Sequence, residues 1–118
     1  MKQFYYIKTC NTSLRILKQL PHEQFELIDL KTQPLTVVQV EHLKSLAGSY
    51  ETLFSRRAKK YSEMGLKNQT LTEADYKRLL LDEYTFLKRP VVVIGDKIFI
   101  GSSKKNIEQL LQYINDSK

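Results

Sequence analysis

The stretch Gln3–Leu20, Gln-Phe-Tyr-Tyr-Ile-Lys-Thr-Cys-Asn-Thr-Ser-Leu-Arg-Ile-Leu-Lys-Gln-Leu, decides how the rest of this chain is interpreted. An aromatic and β-branched run at Phe4–Ile7 is typical of a strand, and after Cys10 and three small polar residues the apolar residues take a helical spacing. The pattern predicts a strand, a turn and a helix that begins near Cys10, buries Ser13 and ends at Pro21.

Cys10 would then stand at the first turn of a helix. Backbone N–H groups have no partner there, and the aligned peptide dipoles add partial positive charge. A thiolate is stabilised in that place, so the pKa of the cysteine falls, and the N–H groups of Asn11, Thr12 and Ser13 can hold an oxyanion. The alternative is a small cysteine that fills an apolar site. Cys10 is therefore a candidate nucleophile.

Composition limits the function classes. With 118 residues, 42% hydrophobic and 27% charged, the chain is expected to form one globular domain, 1–118. Its one cysteine excludes an intramolecular disulfide, and no signal peptide or apolar span is evident, so we expect a cytoplasmic protein. A net charge of +6 favours an anionic partner, although a solvated basic face is the alternative. No nucleic-acid motif is present, so direct nucleic-acid binding is not expected.

The remaining elements can be read in chain order. Phe25–Leu30 is a second strand, which a crossover helix makes parallel to the first. Helical signals then run from Thr36, a capping residue, to about residue 86, and include a helix expected from Tyr50 to Glu63. A hairpin of Val91–Ile94 and Lys97–Ile100 and a last helix follow. The order β-α-β, helical insert at about 36–86, β-β-α predicts an α/β protein with a mixed sheet.

Two arginines have positions of interest. On a helix from Tyr50, Arg57 falls on the apolar stripe, where a cation needs an anionic partner or a water-filled cleft; the alternative is an arginine that extends its head to solvent. Arg89 precedes Pro90 and is therefore extended and leads into the strand; the alternative is a surface charge at a strand end. His22 and His42 lack metal-ligand spacing, and no metal site is predicted.

The order of elements, with a cysteine opening the first helix and a proline opening the third strand, resembles the thioredoxin fold. The insert, together with Tyr6–Cys10, Leu53–Arg57 and Leu87–Pro90 followed by three valines, is similar to the bacterial arsenate reductase (ArsC)/Spx family. The resemblance implies that Pro90 is a cis proline beside Cys10.

The resemblance also assigns roles to side chains. Arg89 would bind an oxyanion, and Arg57 would face the thiol, with Arg56 as the alternative at this motif. A third arginine of the family's reductases is replaced near Ile100–Gly101.

The family contains both enzymes and regulators. The leading prediction is an arsenate reductase-like thiol oxidoreductase that acts as a monomer on a small oxyanion. Cys10 would attack arsenate, and an external thiol (glutathione with glutaredoxin, or thioredoxin) would resolve the intermediate without a bound cofactor. The alternatives are an Spx-type regulator that contacts the RNA polymerase α subunit and a non-catalytic thioredoxin-fold module. Spx-type regulators use two cysteines, and Ser13 stands at the second position.

Overall fold

A computed structural model describes residues 1–117. The chain forms two compact units, one of Met1–Gln33 with the chain from Arg89 onward and the other of Pro34–Lys88. The helices and strands in chain order are β1 (Lys2–Tyr6), α1 (Asn11–Leu17), β2 (Glu26–Asp29), α2 (Val37–Ala47), α3 (Tyr50–Leu53), α4 (Lys59–Glu63), α5 (Glu73–Asp82), β3 (Val91–Ile94), β4 (Lys97–Ile100) and α6 (Lys104–Asp116). Along residues 1–117, no helix combines the length and the apolar sequence that crossing a bilayer requires.

The first unit contains a four-stranded mixed sheet in the order β2-β1-β3-β4. β1 and β2 are parallel, with Phe4 opposite Leu27, whereas β3 is antiparallel to both β1 and β4. The predicted parallel pair and the predicted hairpin are both confirmed. The hairpin turns at Gly95, whose φ of 60° lies in the left-handed region that glycine adopts without strain.

One face of this sheet carries the core that fixes α1. Alternation along β1 places Phe4 and Tyr6 on the same face, where they pack edge to face at 5.5 Å between ring centroids. Ile16 and Leu17 of α1 and Leu110 of α6 are buried in the same cluster. Because α1 is held by apolar contacts on this side, the position of its first turn, and so of Cys10, is set by the sheet.

The second unit is built from helices with clear start signals. α2 and α5 both begin with a capping box, formed by Thr36 with Gln39 and by Thr72 with Asp75, and the first confirms the capping role expected of Thr36. The side chain of Glu73 accepts hydrogen bonds from the backbone N–H groups of Tyr50 and Glu51, at 2.8 and 3.0 Å. These bonds satisfy N–H groups at the start of α3, which otherwise have no partner.

The prediction of one helix from Tyr50 to Glu63 is wrong. Phe54 has an extended backbone, with ψ of 130°, so the segment divides into the short helices α3 and α4. The cause is a tertiary pairing: Phe54 forms a bridge with Leu87, while Ser55 N–H donates to Phe86 O at 2.7 Å and Lys88 N–H to Leu53 O at 2.9 Å. These bonds replace the ones that would have continued the helix.

The first helix is shorter than expected. α1 ends at Leu17, although the sequence indicated Pro21 as its end. Beyond it the N–H groups of Gln19 and Leu20 donate to the carbonyls of Ile16 and Leu17, three residues back, so the chain tightens before the proline. Leu20 is nevertheless buried.

Candidate functional site

Cys10 is the residue that precedes the first helical residue of α1. Its backbone is extended, with φ of −82° and ψ of 103°, and its carbonyl accepts the first helical hydrogen bond, from Leu14 N–H at 3.0 Å. Its own N–H donates to Ile7 O at 2.8 Å, which closes the turn after β1. The predicted position of Cys10 at the start of the helix is therefore what the structure shows, and the thiol is half-buried rather than enclosed.

Ser13 supplies a hydrogen bond to the sulfur. Its side chain is fully buried, and its hydroxyl donates to Cys10 Sγ at 3.3 Å, a normal distance for a sulfur acceptor. A serine near the start of a helix can act as a helix cap or as a hydrogen-bond donor to a nearby thiolate. Cys10 occupies the capping position and makes no side-chain cap bond, so the Ser13 hydroxyl is directed to the sulfur.

The surroundings of Cys10 favour the thiolate. Partial burial, the largest single influence, raises the pKa of the thiol, but four other contributions together outweigh it and lower the pKa below its usual value. They are the hydroxyl and the backbone N–H of Ser13, the positive charge of Arg89 and the backbone N–H of Thr12. Each of them stabilises the charged form by a hydrogen bond or by an opposite charge. These contacts therefore favour the thiolate form of Cys10 over the thiol.

Arg89 reaches the site through the loop before β3. The Arg89–Pro90 peptide bond is cis, and Pro90 is buried while Arg89 is half-buried. Pro90 O accepts a hydrogen bond from Gly101 N–H at 2.8 Å, so the loop after β4 lies against this turn. Gly101 belongs to the stretch where the resemblance implies that a third arginine is replaced.

The predicted site residues are therefore distributed over the two units. Cys10, Thr12, Ser13 and Arg89 come together in the first unit, and Asn11 is exposed on the same first turn. Arg57 belongs to the second unit, in the non-helical segment between α3 and α4. The argument from a helical stripe therefore does not apply to Arg57, and its role at the thiol stays a prediction.

The structure separates the two arginines that the sequence left as alternatives. Arg56 pairs with Glu51 at 2.7 Å and also donates to the Tyr76 hydroxyl at 2.9 Å, and the contact with Glu51 raises its pKa further. Arg57 is exposed, and among residues 1–117 no acidic side chain forms an ion pair with it. Of the two guanidinium groups, that of Arg57 is the one available to an added anion.

Asp29 is a positioning residue that the sequence did not reveal. Its side chain accepts hydrogen bonds from the backbone N–H groups of Lys8 and Lys31, each at 3.3 Å. It thereby ties the loop that leads into Cys10 to the end of β2. An aspartate at a strand end is common, and only the parallel pairing of β1 with β2 brings it to this loop.

The fold and the site together define a class of protein. A mixed sheet of this order, a cysteine that opens the first helix and a cis proline that opens β3 are the features of a thioredoxin-like fold with a cysteine site. The family model described as the ArsC family matches residues 5–110. This chain belongs to the ArsC family, as the resemblance predicted.

Comparison with individual proteins agrees with this assignment. The uncharacterized protein YusI of Bacillus subtilis is 25% identical over 111 residues, covering 90% of this chain and 94% of YusI. The solution structure of SACOL0876 from Staphylococcus aureus is 30% identical, with a TM-score of 0.72 and coverage of 92% of this chain and 97% of that one. The arsenate reductase from Vibrio cholerae has a TM-score of 0.71 at 19% identity, covering 94% and 95%, and shows likeness of fold.

Proposed function

We propose that this protein is an arsenate reductase-like thiol oxidoreductase that uses Cys10 as its only nucleophile. Family membership supports an oxidoreductase. The observation that carries the proposal is the hydrogen bond from the Ser13 hydroxyl to Cys10 Sγ at 3.3 Å, in a site where the pKa of the thiol is lowered. A thiolate is the nucleophilic form of cysteine, and this arrangement raises its population at neutral pH.

In the first step, the Cys10 thiol loses its proton and the sulfur attacks the arsenic of arsenate. One arsenic–oxygen bond breaks, that oxygen leaves as water, and a Cys10–S–As(V) adduct forms. Arg89 and the N–H groups at the start of α1 are assigned to the charge on the oxygens, since a guanidinium can hold an oxyanion by two parallel hydrogen bonds. Arg57 is assigned as a second cationic ligand because its guanidinium is not paired with an acid among residues 1–117.

In the second step, an external thiol attacks the Cys10 sulfur. The sulfur–arsenic electron pair passes to arsenic, which leaves as arsenite, and Cys10 is left in a mixed disulfide. A second external thiol releases Cys10 and forms the external disulfide. The chain has one cysteine, so both electrons must come from outside, from glutathione with glutaredoxin or from thioredoxin. The chemistry requires a reducing compartment, and we place the protein in the cytoplasm as a monomer.

The test is arsenate-dependent oxidation of glutathione in the presence of glutaredoxin, with Cys10→Ser as the inactive control. We expect arsenite to be formed by the wild-type chain, and phosphate, which thiols do not reduce, to support no thiol oxidation. If the protein shows no turnover and the pKa of Cys10 is about 8.5, the ordinary value for cysteine, the proposal of an arsenate reductase is refuted. If the protein shows no such activity but captures the RNA polymerase α subunit, the alternative of an Spx-type regulator is supported instead.

A further inference from the structure

Asn106 makes a side-chain contact that the site described above does not use. It lies in the first turn of α6, and its side-chain amide donates a hydrogen bond to Gly101 O at 2.8 Å. This bond is partly buried, and both residues belong to the first unit, as do Cys10 and Arg89. The bond therefore connects the start of α6 to the loop that follows β4.

The loop residue Gly101 is also bonded to the residue that follows Arg89. The Gly101 N–H donates to Pro90 O at 2.8 Å, one position beyond the last pair of the β3–β4 ladder, Val91 with Ile100. The φ of Gly101 is 91°, in the left-handed region that glycine adopts without strain. Both backbone polar groups of Gly101 therefore have partners, one in the turn before β3 and one in α6.

The start of α6 is fixed by packing and by a cap. Leu110 is buried in the core cluster, and Ile107 packs against that cluster. Residues four apart lie on the same side of a helix, so Asn106 shares the side of α6 on which Leu110 meets the core. The backbone N–H of Asn106 donates to Ser103 Oγ at 3.2 Å, which satisfies a group that would otherwise lack a partner. The Asn106 side chain therefore extends from a fixed backbone.

We propose that Asn106 is a positioning residue for Arg89: it holds the Gly101 carbonyl, and Gly101 holds Pro90, the residue that follows Arg89. The inference rests on the proposed function, in which Arg89 faces the thiolate and the oxyanion. It goes beyond that function because it assigns Asn106 no contact with the sulfur or the substrate. Among residues 1–117 no acid forms an ion pair with Arg89, so the backbone beside Arg89 directs its guanidinium.

The first test is the rate of alkylation by iodoacetamide as a function of pH in Asn106→Ala. Alanine is a good helix former and is uncharged, so the change removes the bond to Gly101 and leaves the net charge unaltered. The positive charge of Arg89 lowers the pKa of Cys10, and a displaced guanidinium should lower it less. We expect the rate at pH values below the midpoint to fall about twofold, since the charge pair is partly exposed and is weakened rather than removed.

The matched control is Ser103→Ala, which removes the cap of the same helical turn but not the side-chain bond of Asn106. Loss of a cap lowers the free energy of unfolding. We expect denaturant unfolding to show this loss and the pKa of Cys10 to stay unchanged. Equal changes of the pKa in both variants would overturn the proposal, because they would reflect a loosened helix. An unchanged pKa in Asn106→Ala would overturn it as well.

A double-mutant cycle tests whether Asn106 acts through Arg89. The four chains are the wild type, Asn106→Ala, Arg89→Gln and the double variant, and the quantity measured is the ratio of the rate constants for iodoacetate and iodoacetamide. Only iodoacetate is charged, so the ratio reports a cation beside the sulfur, and the thiolate fraction cancels. We expect Asn106→Ala to lower the ratio in the wild-type background and to have no effect in the Arg89→Gln background. An equal fall in both backgrounds would overturn the proposal.

Failure of this inference can be distinguished from failure of the proposed function. If the wild-type chain does not reduce arsenate but the cycle shows coupling, the reductase is refuted and the positioning role is supported. If arsenate is reduced and the cycle shows no coupling, the positioning role alone is refuted. If arsenate is reduced, we also expect Asn106→Ala to raise the KM for arsenate more than it lowers kcat, because Arg89 is assigned to the oxyanion.

Discussion

Removal of one hydroxyl group tests the account of the thiolate. In Ser13→Ala the sulfur loses the hydrogen bond at 3.3 Å while the backbone N–H groups and Arg89 remain. A hydrogen bond to a charged group contributes about 1.5–3 kcal/mol, and we take about 1 kcal/mol because Cys10 is only half-buried and water can replace part of the bond. At pH values below the midpoint of the thiol titration, this amount lowers the thiolate fraction about fivefold.

The assay is the rate of alkylation by iodoacetamide as a function of pH, on the wild-type chain, on Ser13→Ala and on Ser102→Ala, which removes an exposed hydroxyl elsewhere. The midpoint should rise in Ser13→Ala and stay unchanged in Ser102→Ala. Thermal unfolding identifies any loss of fold.

The free energy of unfolding should also depend on pH, in the direction set by the lowered pKa of Cys10. The pKa of Cys10 is lower in the folded chain than in the unfolded one, so folding gains stability above the unfolded-state pKa and loses it as pH falls through the folded-state pKa. Ser13→Ala should reduce this gain. An identical midpoint in wild type and Ser13→Ala would refute the assignment of the hydroxyl to the sulfur.

Three further predictions concern the same thiol. Arg89→Gln should raise the pKa of Cys10, because it removes the nearby positive charge, and should weaken arsenate-dependent turnover; alkylation and glutathione oxidation measure the two effects. Arg57→Gln should lower turnover at unchanged stability, whereas Arg56→Gln should lower the free energy of unfolding by about 0.5 kcal/mol through its exposed ion pair, as denaturant unfolding would show. Ser13→Cys should form a disulfide with Cys10 under mild oxidation, because the Ser13 and Cys10 side chains are already in contact. The disulfide would be detected because neither cysteine could then be alkylated.

Local signals predicted the part of the fold that local chemistry controls. The cap at Thr36 depends on a residue three positions away, and β3 and β4 are joined by a tight turn at Gly95 and Asp96; the sequence predicted both features. The division at Phe54 depends on its bridge to Leu87, on a distant part of the chain. Periodicity cannot reveal such a contact, because Phe54 continues the apolar stripe whether or not its backbone stays helical.

The site shows the same division between local and tertiary causes. The position of Cys10 before α1 follows from a strand, a turn and a helix, which are all visible in the sequence. The role of Ser13 cannot be predicted in the same way, because a serine near the start of a helix can either cap the helix or donate a hydrogen bond to the thiolate. Which of the two roles Ser13 takes depends on which residue occupies the capping position. If the helix began at a different residue, Ser13 could be the cap instead.

The distinction between Arg56 and Arg57 follows from the same break in the helix. In a continuous helix, neighbouring residues would be separated by only 100° and both could approach one anion. The structure instead places them in a non-helical segment, and Glu51 and Tyr76 engage Arg56. Transfer of Arg56 to a ligand would break both contacts, whereas Arg57, which forms no ion pair among residues 1–117, would lose none by binding the proposed anion. The pairing of Phe54 with Leu87, which ends α3, therefore also determines which arginine is available to the proposed oxyanion.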